Sequence, residues 1–198
     1  MRNTALLAAA IGLLSGVTAQ AQWQTYSQTE PTFRMKYPVG WTAEAGQTAP
    51  DETLGDLVLK ARTKVLFKVN VEQANLEASV VVYEAPERAT LDAVLEGLTA
   101  QSAERKATEG KVGDLRCAWY QESSNGRSSV HTYFRLDEGV YHISLEAPTP
   151  LFAACMQGYQ HMLRSLYEGP GADWNYPGTS PGEEIIGPDG APMVWVPA

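Results

Sequence analysis

The sequence predicts an α+β domain in which an antiparallel-rich β-sheet is flanked by helices. Three observations predict it: extended segments with alternating apolar residues recur up to Ala147, two helical stripes interrupt and close them, and the last three extended segments follow one another through short turns as a meander.

The first 21 residues precede this domain. Arg2 supplies a short positive region, residues 5–14 an apolar stretch, and Ala19-Gln20-Ala21 a small-x-small site, the pattern of a secretory signal cut by signal peptidase. The apolar stretch falls short of the roughly 20 residues that span a bilayer, and no Cys follows the site for lipid attachment. The mature chain is expected to begin at Gln22, to be periplasmic or secreted, and to carry no transmembrane segment.

Within residues 22–168, Phe33, Met35 and Tyr37 alternate with Arg34 and Lys36, and Pro38 with a Gly40-Trp41 turn ends that strand. Residues 42–56 are polar and turn-rich. Val65, Phe67, Val69 and Val71 then alternate with Lys64, Lys68 and Asn70, and residues 78–83 form a strand whose three consecutive valines predict burial on both faces. Thr90 offers an N-cap, Asp92 suits the first turn, and Leu91, Val94, Leu95 and Leu98 make an apolar stripe reaching towards Arg105. Residues 111–121, 128–136 and 140–147 read as strands joined through Asn125-Gly126, a tight hairpin signal, and Glu138-Gly139. Pro148 and Pro150 end the sheet, and residues 151–168 read as a helix with Phe152, Cys155, Tyr159, Met162 and Leu166 on one stripe. From Gly169 six prolines interleave with six glycines and no apolar period survives. Residues 169–187 are therefore expected to be an extended linker.

Composition is that of one globular domain, 44% hydrophobic and 19% charged, with a net charge of −8 that argues against nucleic acid as a partner. Without signal and tail about 145 residues remain, enough for one core. Two cysteines, Cys117 and Cys155, both sit at positions predicted to face that core. In an oxidising compartment this permits a disulfide, with two buried thiols as the alternative.

No catalytic residues, metal site or cofactor are predicted. His131, His142 and His161 are the only histidines. A hairpin tip at Glu138-Gly139 sets Leu136 opposite Tyr141 and Phe134 opposite Ile143, with His131 beside Glu146. That register separates His131 from His142 by roughly 13 Å, too far to share a metal ion. The serines around Asn125-Gly126 read as turn chemistry, without a nucleophile elbow or phosphate loop. Arg34, Lys36, Lys64 and Lys68 alternate with core positions and face outward, so neighbouring strands would join them into a basic docking face for an acidic protein or anionic envelope surface. Solubility and edge protection by lysine is the alternative.

The segment Phe33-Arg34-Met35-Lys36-Tyr37-Pro38-Val39-Gly40-Trp41 resembles the entry of PsbP-like domains, and residues 141–148 with the helix ending Arg164-Ser165-Leu166 are similar to that family's last strand and helix. The resemblance covers about residues 26–168. It implies an α/β/α sandwich acting as a non-enzymatic assembly or binding module. Phe33, Tyr37, Pro38, Gly40 and Trp41 are expected to serve core and turn. Residues 188–198, Pro-Asp-Gly-Ala-Pro-Met-Val-Trp-Val-Pro-Ala, look like the opening of a formylglycine-generating, or sulfatase-modifying-factor-like, domain. The expectation is thus an exported, non-catalytic binding or accessory module for an unidentified protein or envelope component, forming the N-terminal part of a larger protein. Alternatives are a targeting domain for a formylglycine-generating-type enzyme, or a stand-alone periplasmic structural protein.

Overall fold

The computed structural model describes residues 23–71, 74–84, 86–101, 106–137, 139–168, 184–186 and 192–194. The expected signal at 1–21, residues 169–183 and 187 of the expected linker, and residues 188–191 and 195–198 of the tail lie outside them.

In chain order the elements are β1 Trp23–Thr29, β2 Thr32–Pro38, β3 Thr42–Gln47, β4 Glu52–Leu54, β5 Leu57–Leu59, β6 Ala61–Val71, β7 Ala74–Tyr83, α1 Leu91–Gln101, β8 Thr108–Val112, β9 Leu115–Ser124, β10 Arg127–Arg135, β11 Val140–Pro148, α2 Thr149–Arg164, β12 Tyr167–Glu168, β13 Glu184–Ile186 and β14 Pro192–Val194. A seven-stranded antiparallel sheet runs β3-β6-β7-β11-β10-β9-β8, a three-stranded sheet runs β1-β2-β12, and β4-β5 and β13-β14 are separate two-stranded pairs. Among the described residues no helix is long and apolar enough to cross a membrane.

The large sheet is apolar on both faces. Val80 and Val82 join Val65, Phe67, Cys117, Phe134, Tyr141 and Ile143 in a core closed by α2 and the small sheet, through Phe33, Met35, Cys155, Tyr159, Met162 and Leu163. Val81 and Tyr83 point the other way, into a second core with Tyr120 and Tyr133 under α1 and the β4-β5 hairpin. Successive strand residues alternate between faces, which is why three consecutive valines are all buried.

Local chemistry sets the boundaries. Thr90 caps α1 by accepting from Ala93 N at 3.1 Å. Asn125 and Gly126 both take positive φ, 52° and 76°, giving the two-residue reversal between β9 and β10. Gly113, with φ 59°, makes another between β8 and β9, so the strand expected over 111–121 is two strands of a four-stranded meander. Residues 42–56, expected as turns, contribute β3 and β4; β3 is an edge strand, where pairing does not require apolar alternation. The last helix stops at Arg164, four residues short of the expected end. Ser165 Oγ there accepts from Lys36 N at 2.8 Å, and the chain turns out to pair β12 with β2. In the tail, 184–186 of the expected linker pair with 192–194.

Candidate functional site

The β4-β5 hairpin brings a carboxylate onto a sheet face rich in rings. Its docking depends on Gly97 of α1: an added Cβ would lie 2.6 Å from Leu54 Cβ and Leu54 O, so only glycine lets the hairpin lie this close. Gln101 Nε2 donates to Thr53 O, and Asp51 Oδ1 accepts from Ala61 N at 2.9 Å. Held at both ends, Glu52 accepts from the Tyr133 hydroxyl at 2.7 Å, with Tyr83 beside it. Burial, then the Glu52 charge, push both phenols far above the ordinary range, so they act as hydrogen-bond donors. The second oxygen of Glu52, Oε2, is buried and takes no hydrogen bond.

That oxygen lies 3.7 Å from His142 Nδ1. His142 Nε2 is in turn 2.9 Å from His131 Nδ1. The outer nitrogen of His131, Nε2, is 3.0 Å from Ser129 Oγ and 3.6 Å from Glu122 Oε1. Both rings are stacked, His131 on Tyr120 at 4.6 Å and His142 on Tyr133 at 4.2 Å. The central N···N contact holds a single proton, one ring donating and the other accepting. With a carboxylate near each outer nitrogen, the pair can carry one extra proton. A second would set N–H against N–H and break the bond. The cluster can therefore hold a proton within a row of groups that crosses the covered face of the sheet, from Glu122 on β9 through β10 and β11 to Glu52 on β4. Among the described residues no group of three or more His, Cys, Asp or Glu is placed to hold a metal ion.

This proximity corrects the expected 13 Å separation. The observed register pairs Arg135 with Val140, Tyr133 with His142 and His131 with Ser144, because the reversal falls one residue before Glu138-Gly139. Leu136 N donates to Gly139 O at 3.0 Å, and a Cβ on Gly139 would meet Tyr83 O at 2.4 Å. The two registers differ by two residues in pairing and leave every side chain on the same face. Hydrophobic pattern cannot separate them; turn geometry does. Glu146, expected beside His131, is paired with Arg127.

Cys117 and Cys155 are both buried and are free thiols, so the alternative to the disulfide is the one observed. Burial raises both thiols, Cys155 to about 11, which keeps them protonated and unreactive. The four basic residues do not form one face. Arg34 and Lys36 belong to the small sheet and Lys64 and Lys68 to the large one. Phe33, Met35, Val65 and Phe67 all point into the core shared by the two sheets, so alternation turns Arg34 and Lys36 away on one side and Lys64 and Lys68 away on the other. Lys68 is engaged by Glu44 at 2.8 Å. Phe33 and Trp41 are buried, Tyr37 rests on Phe67 with ring centroids 4.9 Å apart, and Gly40 has φ 94° where Trp41 N closes back on Pro38 O at 3.2 Å. His161 is exposed on α2, and its ring stacks on Trp23 at 4.0 Å.

Glu52, Tyr83, Tyr120 and Tyr133 were not singled out by the sequence. Tyr120, His131 and Tyr133 did carry a signal, since large rings on the polar phase of a strand are suited to a covered face. Glu52 carried none, because its role depends on where a distant hairpin docks.

No protein-family model matches the chain, and no curated protein does. The chain is similar to the solution structure of cyanobacterial PsbP (CyanoP) from Synechocystis sp. PCC 6803, with a TM-score of 0.51 and 16% identity, covering 78% of this chain and 96% of that one. It is also similar to a crystal structure from Bacteroides thetaiotaomicron VPI-5482, with a TM-score of 0.50 and 15% identity, covering 83% of this chain and about half (53%) of that one. The fold is a PsbP-like α+β fold. Neither likeness supports the formylglycine-generating resemblance of the tail.

Proposed function

We propose that this chain is an exported accessory module that binds a protein or envelope component and performs no catalysis of its own. The observation that carries the reading is the PsbP-like fold, shared with cyanobacterial PsbP over 96% of that protein's length. Two features agree with it. The residues of the entry motif are spent on core and turn, and the acid-base cluster is built into the sheet, with Tyr120 and Tyr133 buried and both histidine side chains less than a fifth exposed. Export rests on the signal pattern of residues 1–21.

The test uses the full chain expressed with its own N-terminus in a Gram-negative host. Mass spectrometry of the periplasmic fraction is expected to find a chain starting at Gln22; retention in the cytoplasm with residues 1–21 intact would refute export. The purified mature chain, offered ester, phosphoester and peptide substrates, is expected to show no turnover that H131A removes. Turnover lost in that variant would refute the non-catalytic reading.

A further inference from the structure

A cleft of about 360 Å³ lies between α2 and the edge of the large sheet formed by β8 and β9, away from the Glu52 cluster. Its walls are regular. Met156, Tyr159, Gln160, Leu163 and Arg164 line it from the helix, at the i, i+3, i+4, i+7 and i+8 spacing that puts side chains on one helix face. Cys117, Trp119 and Gln121 line it from alternate positions of β9. The cleft exists because β8 presents Gly110 there: a Cβ would lie 3.0 Å from Trp119 Nε1 and 3.4 Å from Cys117 Sγ, so a side chain at that position would fill the space. The volume falls within the roughly 300–1,000 Å³ typical of small-molecule sites.

Its polarity is one-sided. Tyr159 Oη donates to Ile143 O at 2.8 Å and is 2.9 Å from Thr132 Oγ1, so the floor hydroxyls satisfy one another. Although the chain carries a net charge of −8, no carboxylate lines the cleft. Arg116 and Arg127 are paired with carboxylates, whereas Arg164 forms no ion pair among the described residues. A guanidinium free of internal carboxylates favours a planar anion in bidentate geometry. Lys111 contributes backbone to the rim, since its neighbour Gly110 pairs with the inward-facing Cys117 and alternation turns the Lys111 side chain to the other face. We propose that the cleft binds a small amphipathic carboxylate, its aromatic or branched apolar body against Trp119, Met156 and Leu163 and its carboxylate on Arg164. This inference goes beyond the accessory-module reading and does not depend on it.

The test is a titration of the ¹⁵N-labelled mature chain with 4-phenylbutyrate, alongside 4-phenylbutanol, which keeps the apolar body and lacks the charge. Saturable shifts are expected at the Trp119 indole N–H and the backbone of 156–164, with the alcohol binding about tenfold more weakly, equivalent to about 1.4 kcal/mol. R164Q, at an exposed position, is expected to melt like the parent and to remove the preference for the carboxylate while leaving alcohol binding unchanged. G110L is expected to abolish both. Absence of saturable shifts at Trp119, equal binding of acid and alcohol, or an unaltered preference in R164Q would each overturn the proposal. These readouts require neither a protein partner nor export, so their failure is distinct from failure of the accessory-module reading.

Discussion

The two faces of the large sheet are built on different physics. The α2 face is closed by the small sheet as well as a helix, and its contacts are almost wholly apolar, with Phe33, Met35, Phe67, Phe134 and Tyr141 all fully buried. The α1 face is closed by one helix and a three-residue-stranded hairpin, and its centre is a hydrogen-bonded group of tyrosines, histidines and Glu52. Apolar burial is non-directional and tolerates small shifts, whereas the polar cluster holds only if each donor meets its acceptor. The first face thus rests almost wholly on apolar burial, whereas the second adds to its own apolar core a polar cluster that fixes where a particular hairpin sits.

The largest effects should come from the α2 face. F33A removes a ring packed edge-on against Tyr141 at 5.8 Å, and a loss of about 3–5 kcal/mol is expected from urea unfolding. A loss no larger than that of the polar variants below would erase the distinction between the faces. On the α1 face, G97A forces a Cβ into Leu54, and overpacking of this kind costs about 1–3 kcal/mol. The comparison gains from a second readout: hydrogen exchange in G97A should rise at the hairpin and the Tyr133 strand and not in α2. Uniform exchange would mean that the hairpin and cluster do not behave as a unit.

How far the sequence revealed these two faces follows from the same difference. Alternation over residues 33–37 and 65–71, the valines at 80–82 and the helical stripe through Cys155 and Tyr159 express apolar burial directly, and they anticipated the α2 face, the meander and the sheet's antiparallel character. The α1 face depends on relations that periodicity does not encode. His131 and His142 meet because a turn falls one residue earlier than its Glu138-Gly139 signal implied. Glu52 joins them because Gly97 admits a hairpin from 45 positions upstream. A two-residue register change preserves every inward and outward assignment, so the pattern was right about faces and silent about neighbours. The basic face failed for a related reason: alternation gave the outward direction of each side chain, and only topology could say that the strands belong to different sheets.

Smaller effects should separate the members of the cluster. Y133F deletes the donor to Glu52 Oε1 and leaves a carboxylate whose other oxygen already lacks a partner, so about 1–3 kcal/mol is expected from thermal or urea unfolding. H142F keeps a ring stacked on Tyr133 and removes both the nitrogen bonded to His131 and the Nδ1 that lies near Glu52 Oε2; with one hydrogen bond lost, about 0.5–1.5 kcal/mol is expected. The order is the informative part. If H142F proved as costly as Y133F, the histidine pair rather than the buried carboxylate would be the centre of the α1 face.

The smallest effect concerns the rim of the α2 face, where His161 lies on Trp23. Burial, with help from the positive charges of Lys36 and Arg164, lowers its proton affinity below the usual value. Between the lowered folded value and the ordinary one near 6.5, the unfolded chain binds more protons than the folded one. This contribution is thus fully present above about pH 6.5 and is lost as the pH falls through that window. H161F retains the stack on Trp23 and cannot titrate, so its melting temperature should fall less between pH 7 and pH 5 than the parent's. An identical fall in both proteins would place the acid sensitivity elsewhere.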